Sequence, residues 1–185
     1  EHSVAGLEFL SCIPGSIGGA IRMNSGCYDY DISKCIASIQ VIDRNGIVKT
    51  IKSGAINFFY RGSDLSDDLI FLSGTFKGEK QDKRKIKEKM EELSAIKKKS
   101  QPSRIKTCGS TFKNPTSQTQ KKAWELIKEA QCENMKIGGA SISEKHSNFF
   151  VNQGFATSND MENLINLVRE KVFNTTGIKL ELELQ

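Results

Sequence analysis

Several function classes are excluded by what the sequence lacks. No apolar run approaches the roughly 18 residues needed to span a bilayer, and no basic-then-apolar leader opens the chain. The chain is therefore expected to be soluble and cytoplasmic, with no membrane partner. It does not begin with Met but with Glu1-His2-Ser3, as expected of a piece of a longer protein. Histidine is scarce: only His2 and His146 accompany the five cysteines, Cys12, Cys27, Cys35, Cys108 and Cys132. The cysteines form no CxxC and lie far apart, so no metal site of known spacing can be drawn, and they read as free thiols in a reducing compartment. There is no P-loop, no GxGxxG and no GxSxG. Internal repeats and low-complexity tracts are also missing.

What is present suits a folded protein. The 185 residues are enough for one domain or two small ones. Apolar residues make up 37% and charged residues 26%, sufficient to bury a core. The net charge of +5 is concentrated between Lys77 and Lys99. Glu79, Asp82, Glu88, Glu91 and Glu92 interleave with the lysines there, which marks a solvated helix face rather than a nucleic-acid surface. The remaining basic excess suits an anionic small molecule such as a phosphate ester.

Residues 6–28 are rich in Gly, Ser and small apolar residues, the composition of tight turns. Residues 35–51 predict a hairpin, with Ile36, Ser38 and Gln40 alternating with their neighbours and Asn45-Gly46 marking a type I′ turn. Residues 69–76 predict a buried strand. Residues 79–98 predict an amphipathic helix with Ile86, Met90, Leu93 and Ile96 on one face. Ser100-Gln101-Pro102-Ser103 is the strongest boundary. Beyond it, a short helix is expected over Trp124–Ala130, a close approach at Ile137-Gly138-Gly139-Ala140 and a strand over Ser147–Val151. Thr157 and Asp160 form a capping pair for a helix from about 159 to 173, with Leu164, Leu167, Val168, Lys171 and Val172 on one face. Gly177 stops it, and Ile178–Leu184 alternates as a last strand. Strands and helices mix without a βαβ rhythm, which predicts an α+β fold.

Five segments could carry chemistry. Pro14-Gly15-Ser16-Ile17-Gly18-Gly19-Ala20 is either a structural turn or a run of backbone N–H groups that cradles a diphosphate. Gly109-Ser110-Thr111-Phe112-Lys113-Asn114-Pro115 is either an ordinary turn or a ligand-facing one. In the second case Ser110 can exchange a proton, and Lys113 and Asn114 can bind carboxylate or phosphate oxygens. Tyr60-Arg61-Gly62-Ser63 puts an arginine beside an aromatic ring. Ser143-Glu144-Lys145-His146 with Asn148 is a polar patch at a strand start. Glu181 and Glu183 share one face by alternation.

The order of these segments resembles a known family. GLEF, IPGSIGGA, MNSG, YR-x-S, GSTFKNP, IGGASISEKHSNF and a final L-E-x-E follow one another as in the UDP-N-acetylenolpyruvoylglucosamine reductases (MurB). The likeness runs from Gly6 to the end, and the SEKH-x-NF form is similar to the shorter-looped, type II branch. The resemblance implies the second half of an FAD-binding domain of the PCMH/VAO type over residues 1–99. A small α+β substrate-binding domain over 100–185 is implied to follow.

It also implies a flavoprotein reductase of peptidoglycan synthesis, a UDP-N-acetylmuramate dehydrogenase concerned with cell wall, cell shape and cell division. In the implied reaction NADPH reduces FAD. Hydride then passes to the vinyl carbon of UDP-N-acetylglucosamine enolpyruvate, and a proton is added at the adjacent carbon. By resemblance Ser110 is the proton donor. Glu183 helps polarise the substrate carboxylate region, and Arg61 stabilises enolate charge. Gly15, Ser16, Ile17, Gly18 and Gly19 hold FAD. Lys113, Asn114, Tyr60 and His146 meet the substrate, and Asn148 is a weaker candidate. No metal and no nucleic-acid partner are implied, and the oligomeric state is left open.

The sequence departs from the family in several places. Family chains begin earlier, with a half-domain carrying another flavin loop, and continue past the glutamate with a basic residue where Gln185 stands. Leu182 replaces a common proline, and Cys27-Tyr28-Asp29 replaces small residues. The chain is thus expected to be cut at both ends, to bind FAD weakly or not at all, and to turn over poorly alone. The alternative is a non-catalytic nucleotide-sugar-binding module derived from the family. Joint retention of Ser110, Arg61 and Glu183 argues against it.

Overall fold

The computed structural model describes residues 2–102 and 105–184. Ser103 of the expected boundary, and Gln185, lie outside the described residues. Contacts divide the chain into two compact units, Glu1–Lys97 and Lys98–Gln185. Both are mixtures of helices and antiparallel strands, an α+β architecture.

Unit 1 opens with β1 (Val4–Ala5), a 3₁₀ turn at Glu8–Cys12 and the short helix α1 (Ile17–Arg22). The Ser16 hydroxyl caps α1 by accepting from the Gly19 N–H, and fully buried Ile21 anchors it. Turns alone were expected over residues 6–28. Six residues containing two glycines are too few to show a helical period. Next come β2 (Gly26–Cys27) and β3 (Tyr30–Asp31), joined by Tyr28 and Asp29, both at positive φ.

The predicted hairpin is β4 (Ile36–Ile42) with β5 (Val48–Lys52). Its turn is not type I′. Asn45 keeps a negative φ, only Gly46 is left-handed, and the Asp43 carboxylate accepts from the Asn45 and Ile47 N–H groups. Two register shifts against β8 (Ile70–Phe76) break the simple alternation, so β4 buries Ile36, Ile39 and Val41 and exposes Gln40. The small hairpin of β6 (Phe58–Phe59) and β7 (Gly62–Ser63) precedes β8 in the chain.

The sheet order is β5-β4-β8. As an edge strand β8 packs by one face only, leaving Ile70 64% and Leu72 49% exposed, not the buried strand its composition predicts. β9 (Glu79–Lys80) pairs with β1, so α2 begins later than expected and runs Lys83–Ser100. On α2 only Leu93 is buried, while Met90 and Ile96 of the predicted stripe remain exposed.

Unit 2 is one antiparallel sheet in the order β10-β13-β12-β11, with two helices packed on it. Its strands are β10 (Lys106–Ser110), β11 (Lys136–Ile137), β12 (Ala140–Ser143) and β13 (His146–Asn152). The helices are α3 (Ala123–Glu129) and α4 (Ser158–Thr176). Thr157 and Asp160 cap α4 reciprocally, and Gly177 ends it in the left-handed region. Its buried face is Leu164, Ile165, Val168 and Val172, while Lys171 is exposed. The core joins these to Phe112, Leu126, Ile127, Ile142 and Phe150. Gly139 is buried where a Cβ would lie 2.4 Å from the Ala156 nitrogen, so this turn is a close backbone approach. The expected last strand reduces to a single bridge between Phe112 and Leu182.

Candidate active site

In unit 1 the glycine loop leads into α1. Gly15 sits at φ +137 with nothing near its Cβ position, and residues 14–17 and Gly19 are exposed. The Gly19 N–H is committed to Ser16 Oγ at 3.1 Å. The N–H groups of Ile17 and Gly18 open the helix and have no acceptor within it.

Arg61 occupies the turn of the β6–β7 hairpin at φ +57, a conformation unusual for a side chain of its size. Its guanidinium lies 4.9 Å from the Tyr60 ring centroid and donates to the Gly26 carbonyl at 3.3 Å. On the same hairpin, Ser63 Oγ is buried without a hydrogen-bond partner.

In unit 2 a bulge between Thr107 and Ser110, with Gly109 at φ +90, sets Ser110 opposite Phe149. Residues 111–113 then run antiparallel to the C-terminal segment. Lys113 N–H donates to the Glu181 carbonyl and Glu183 N–H to the Thr111 carbonyl, both at 2.9 Å. Ser110 and Glu183 therefore stand on adjacent extended segments, Glu183 bonded to the residue that follows Ser110.

Asn148 completes the stitch. Its amide donates to the Phe112 carbonyl at 2.8 Å, and its Oδ1 accepts from the Phe112 N–H at 3.0 Å. Its own carbonyl accepts from Thr111 N–H. His146 packs edge-on against Phe149 with ring centroids 4.7 Å apart. The Asn148 N–H donates to His146 Nδ1, which leaves the imidazole proton on Nε2. Burial pulls the His146 pKa below its ordinary 6.5, and the nearby Lys128 charge adds to this. Asn114 Oδ1 accepts from the Ala123 N–H at the start of α3, so part of that side chain holds the helix.

The comparisons bear on the same segments. Residues 101–185 match the C-terminal domain of UDP-N-acetylenolpyruvoylglucosamine reductase. The UDP-N-acetylenolpyruvoylglucosamine reductase of Pelagibacter ubique (strain HTCC1062) is 48% identical over 185 residues, all of this chain. That of Anaplasma marginale (strain St. Maries) is 43% identical over the same span. The crystal structure of the reductase (MurB) from Thermus caldophilus aligns over 99% of this chain and 64% of its own, with a TM-score of 0.85 and 32% identity. Over its whole length the chain is similar to UDP-N-acetylenolpyruvoylglucosamine reductases, and residues 101–185 match their C-terminal domain. The chain spans 61% of the length of these two relatives.

Within this MurB-like chain, the hub residues are not those with the most obvious chemistry. Asn148 and Thr111 hold the Ser110–Glu183 stitch, and Arg22 and Asn24 hold the Arg61 hairpin. Their signal in the sequence is weak, because a buried Asn and a surface Asn read alike. Among the described residues, no cluster of three His, Cys, Asp or Glu could hold a metal ion. No described helix is long and apolar enough to cross a membrane.

The glycine loop of unit 1 has the backbone for a phosphate-bearing group. The exposed glycine loop offers leading helix N–H groups to phosphate oxygens.

Proposed function

We propose that this chain serves the NADPH-driven, FAD-dependent reduction of UDP-N-acetylglucosamine enolpyruvate to UDP-N-acetylmuramate, a step of cytoplasmic peptidoglycan precursor synthesis. The observation that carries the reading is the stitch of residues 111–113 to 181–183, which puts a hydroxyl and a carboxylate on neighbouring segments. Residues 1–99 belong in this reading to the flavin domain and 100–185 to the substrate-binding domain.

Gly15, Ser16, Ile17, Gly18 and Gly19 would hold the FAD diphosphate, with Ser16 keeping the loop in shape. When bound, FAD supplies the hydride for the vinyl carbon. Ser110 delivers the proton to the adjacent carbon. A hydroxyl is a weak acid, so the charge developing on the enolate must be offset as the proton leaves. Arg61 supplies a fixed cation for that purpose. Glu183 polarises the substrate's carboxylate region from the segment bonded to Thr111.

Lys113 and Tyr60 contact the substrate through their ammonium and hydroxyl groups. Asn114 also contacts the substrate, while its Oδ1 holds the Ala123 N–H at the start of α3. His146 is neutral at pH 7 because burial lowers its pKa, and it presents Nε2–H as a donor.

The test is spectroscopic. The reading frame extended in both directions is expressed beside this chain, and the visible spectrum of each is recorded. The extended protein is expected to be yellow, bleached by NADPH and recoloured by substrate, while this chain alone binds FAD weakly. A colourless extended protein would overturn the flavin reading. Ser110→Ala in the extended protein should leave bleaching by NADPH intact and slow recolouring by about 10²–10⁴-fold, the usual span for a lost general acid. Unchanged recolouring would remove Ser110 from its role.

A further inference from the structure

We infer that Asn24, supported by Arg22, is a positioning residue for Arg61. The inference rests on the proposed function for what Arg61 is aimed at, but its geometry is independent of it. Asn24 is 5% exposed and held at φ +41, a conformation asparagine tolerates better than most residues. Its amide donates to the Phe59 carbonyl at 3.1 Å, at the foot of the Tyr60-Arg61 turn. Its Oδ1 accepts from the Ser33 N–H at 3.0 Å, so the side chain is clamped at both ends.

Two residues earlier, Arg22 closes the other side of the hairpin. Its guanidinium donates to the carbonyls of Leu65, Ser66 and Leu69 and stacks 5.1 Å from the Phe71 centroid. The segments before and after Arg61 are thus both fastened to the end of α1, whose beginning is the glycine loop. Two residues beyond Asn24, Gly26 gives its carbonyl to Arg61. A Cβ at Gly26 would lie 2.3 Å from the Tyr30 carbonyl oxygen, so only glycine fits at the position that receives Arg61. A long flexible side chain at a strained φ is held in one orientation only if its surroundings over-determine it. Asn24 provides a side-chain hydrogen bond that reaches the hairpin backbone next to the turn.

Asn24→Asp tests this in the present chain. The new carboxylate still accepts from Ser33 N–H but cannot donate to the Phe59 carbonyl until it is protonated. The readout is the NMR cross-relaxation between the Arg61 side chain and the Gly26 α-protons, with the Arg61 Nε chemical shift. At pH 7 the cross-peak should vanish and the shift move to that of a solvated arginine. Both should return as the pH falls towards about 5, because burial raises the pKa of the introduced carboxyl. Amide exchange of Asp64, which closes the hairpin on the Asn57 carbonyl, should quicken about tenfold at pH 7, the factor for one lost hydrogen bond.

Asn24→Gly, which keeps the positive φ and deletes the side chain, should lose the cross-peak at every pH. Unchanged Arg61 signals in both folded variants would overturn the inference. So would collapse of unit 1 throughout in both, because Asn24 would then be a general support rather than a guide for Arg61. None of these readouts needs flavin, so a colourless extended protein would sink the proposed function and leave this result standing.

Discussion

Asn148→Ala should cost unit 2 about 3 kcal/mol and detach the C-terminal segment. The substitution removes the donor to the Phe112 carbonyl and the acceptor for the Phe112 N–H together. Phe112 is fully buried and Asn148 is 4% exposed, so water does not replace either partner. A buried backbone group left unpaired costs about 1–3 kcal/mol, which gives roughly 2–6 kcal/mol for the pair, and about 3 once the absent amide's own desolvation is credited.

For a unit of this size each kcal/mol moves the midpoint by about 4–8 °C, so Tm should drop by roughly 12–24 °C. Trp124 is the only tryptophan and lies on α3, so its emission during urea or thermal unfolding reports unit 2 by itself. Amide exchange at Lys113 and Glu183, which carry the stitch, should accelerate with the loss of stability. A stability change below about 1 kcal/mol in a natively folded variant would refute the view that Asn148 holds the stitch.

Gly139→Ala should destabilise unit 2 by about 1–3 kcal/mol or more, since its Cβ would sit 2.4 Å from Ala156 backbone; urea titration of Trp124 emission reads it. Thr157→Ala should cost about 1 kcal/mol by uncapping α4, read as lost helical ellipticity and a lower midpoint. The Asp160 carboxyl is held below its ordinary 3.8, first by the Thr157 N–H. Its stabilising contribution is therefore complete above that value and is lost as the pH falls further, a loss that Asp160→Asn should abolish in acid titrations.

His146 works in the same direction at higher pH. Its lowered pKa keeps it neutral in the fold, so stability should decline as the pH falls below about 6.5. His146→Gln should flatten that slope in the Trp124 unfolding midpoint measured from pH 8 to 5.

How much was legible in the sequence depended on how local the cause was. The Thr157–Asp160 cap and the Gly177 stop each follow from residues a few positions apart, and the structure has both; the Gly138-Gly139 pair marked a close approach, but its partner, Ala156, is set by the fold. The buried and exposed faces of β8 and α2 were not legible, since an apolar stripe states what can be buried and not what is there to bury it. The Asn45-Gly46 turn misled because the Asp43 carboxylate, two residues upstream, outcompeted the mirror-image turn.

By itself the sequence determined the α+β mixture, the local caps and stops, and the ordered motifs that mark the family. Only the tertiary structure decided that the last segment joins the sheet region through one bridge, that Asn148 holds it, and that Arg61 is fastened through Asn24. Those contacts link residues 35 or more apart in the chain. A hydrogen bond across such a distance leaves no period, spacing or composition in the sequence, because its two partners are chosen by the fold and not by their neighbours.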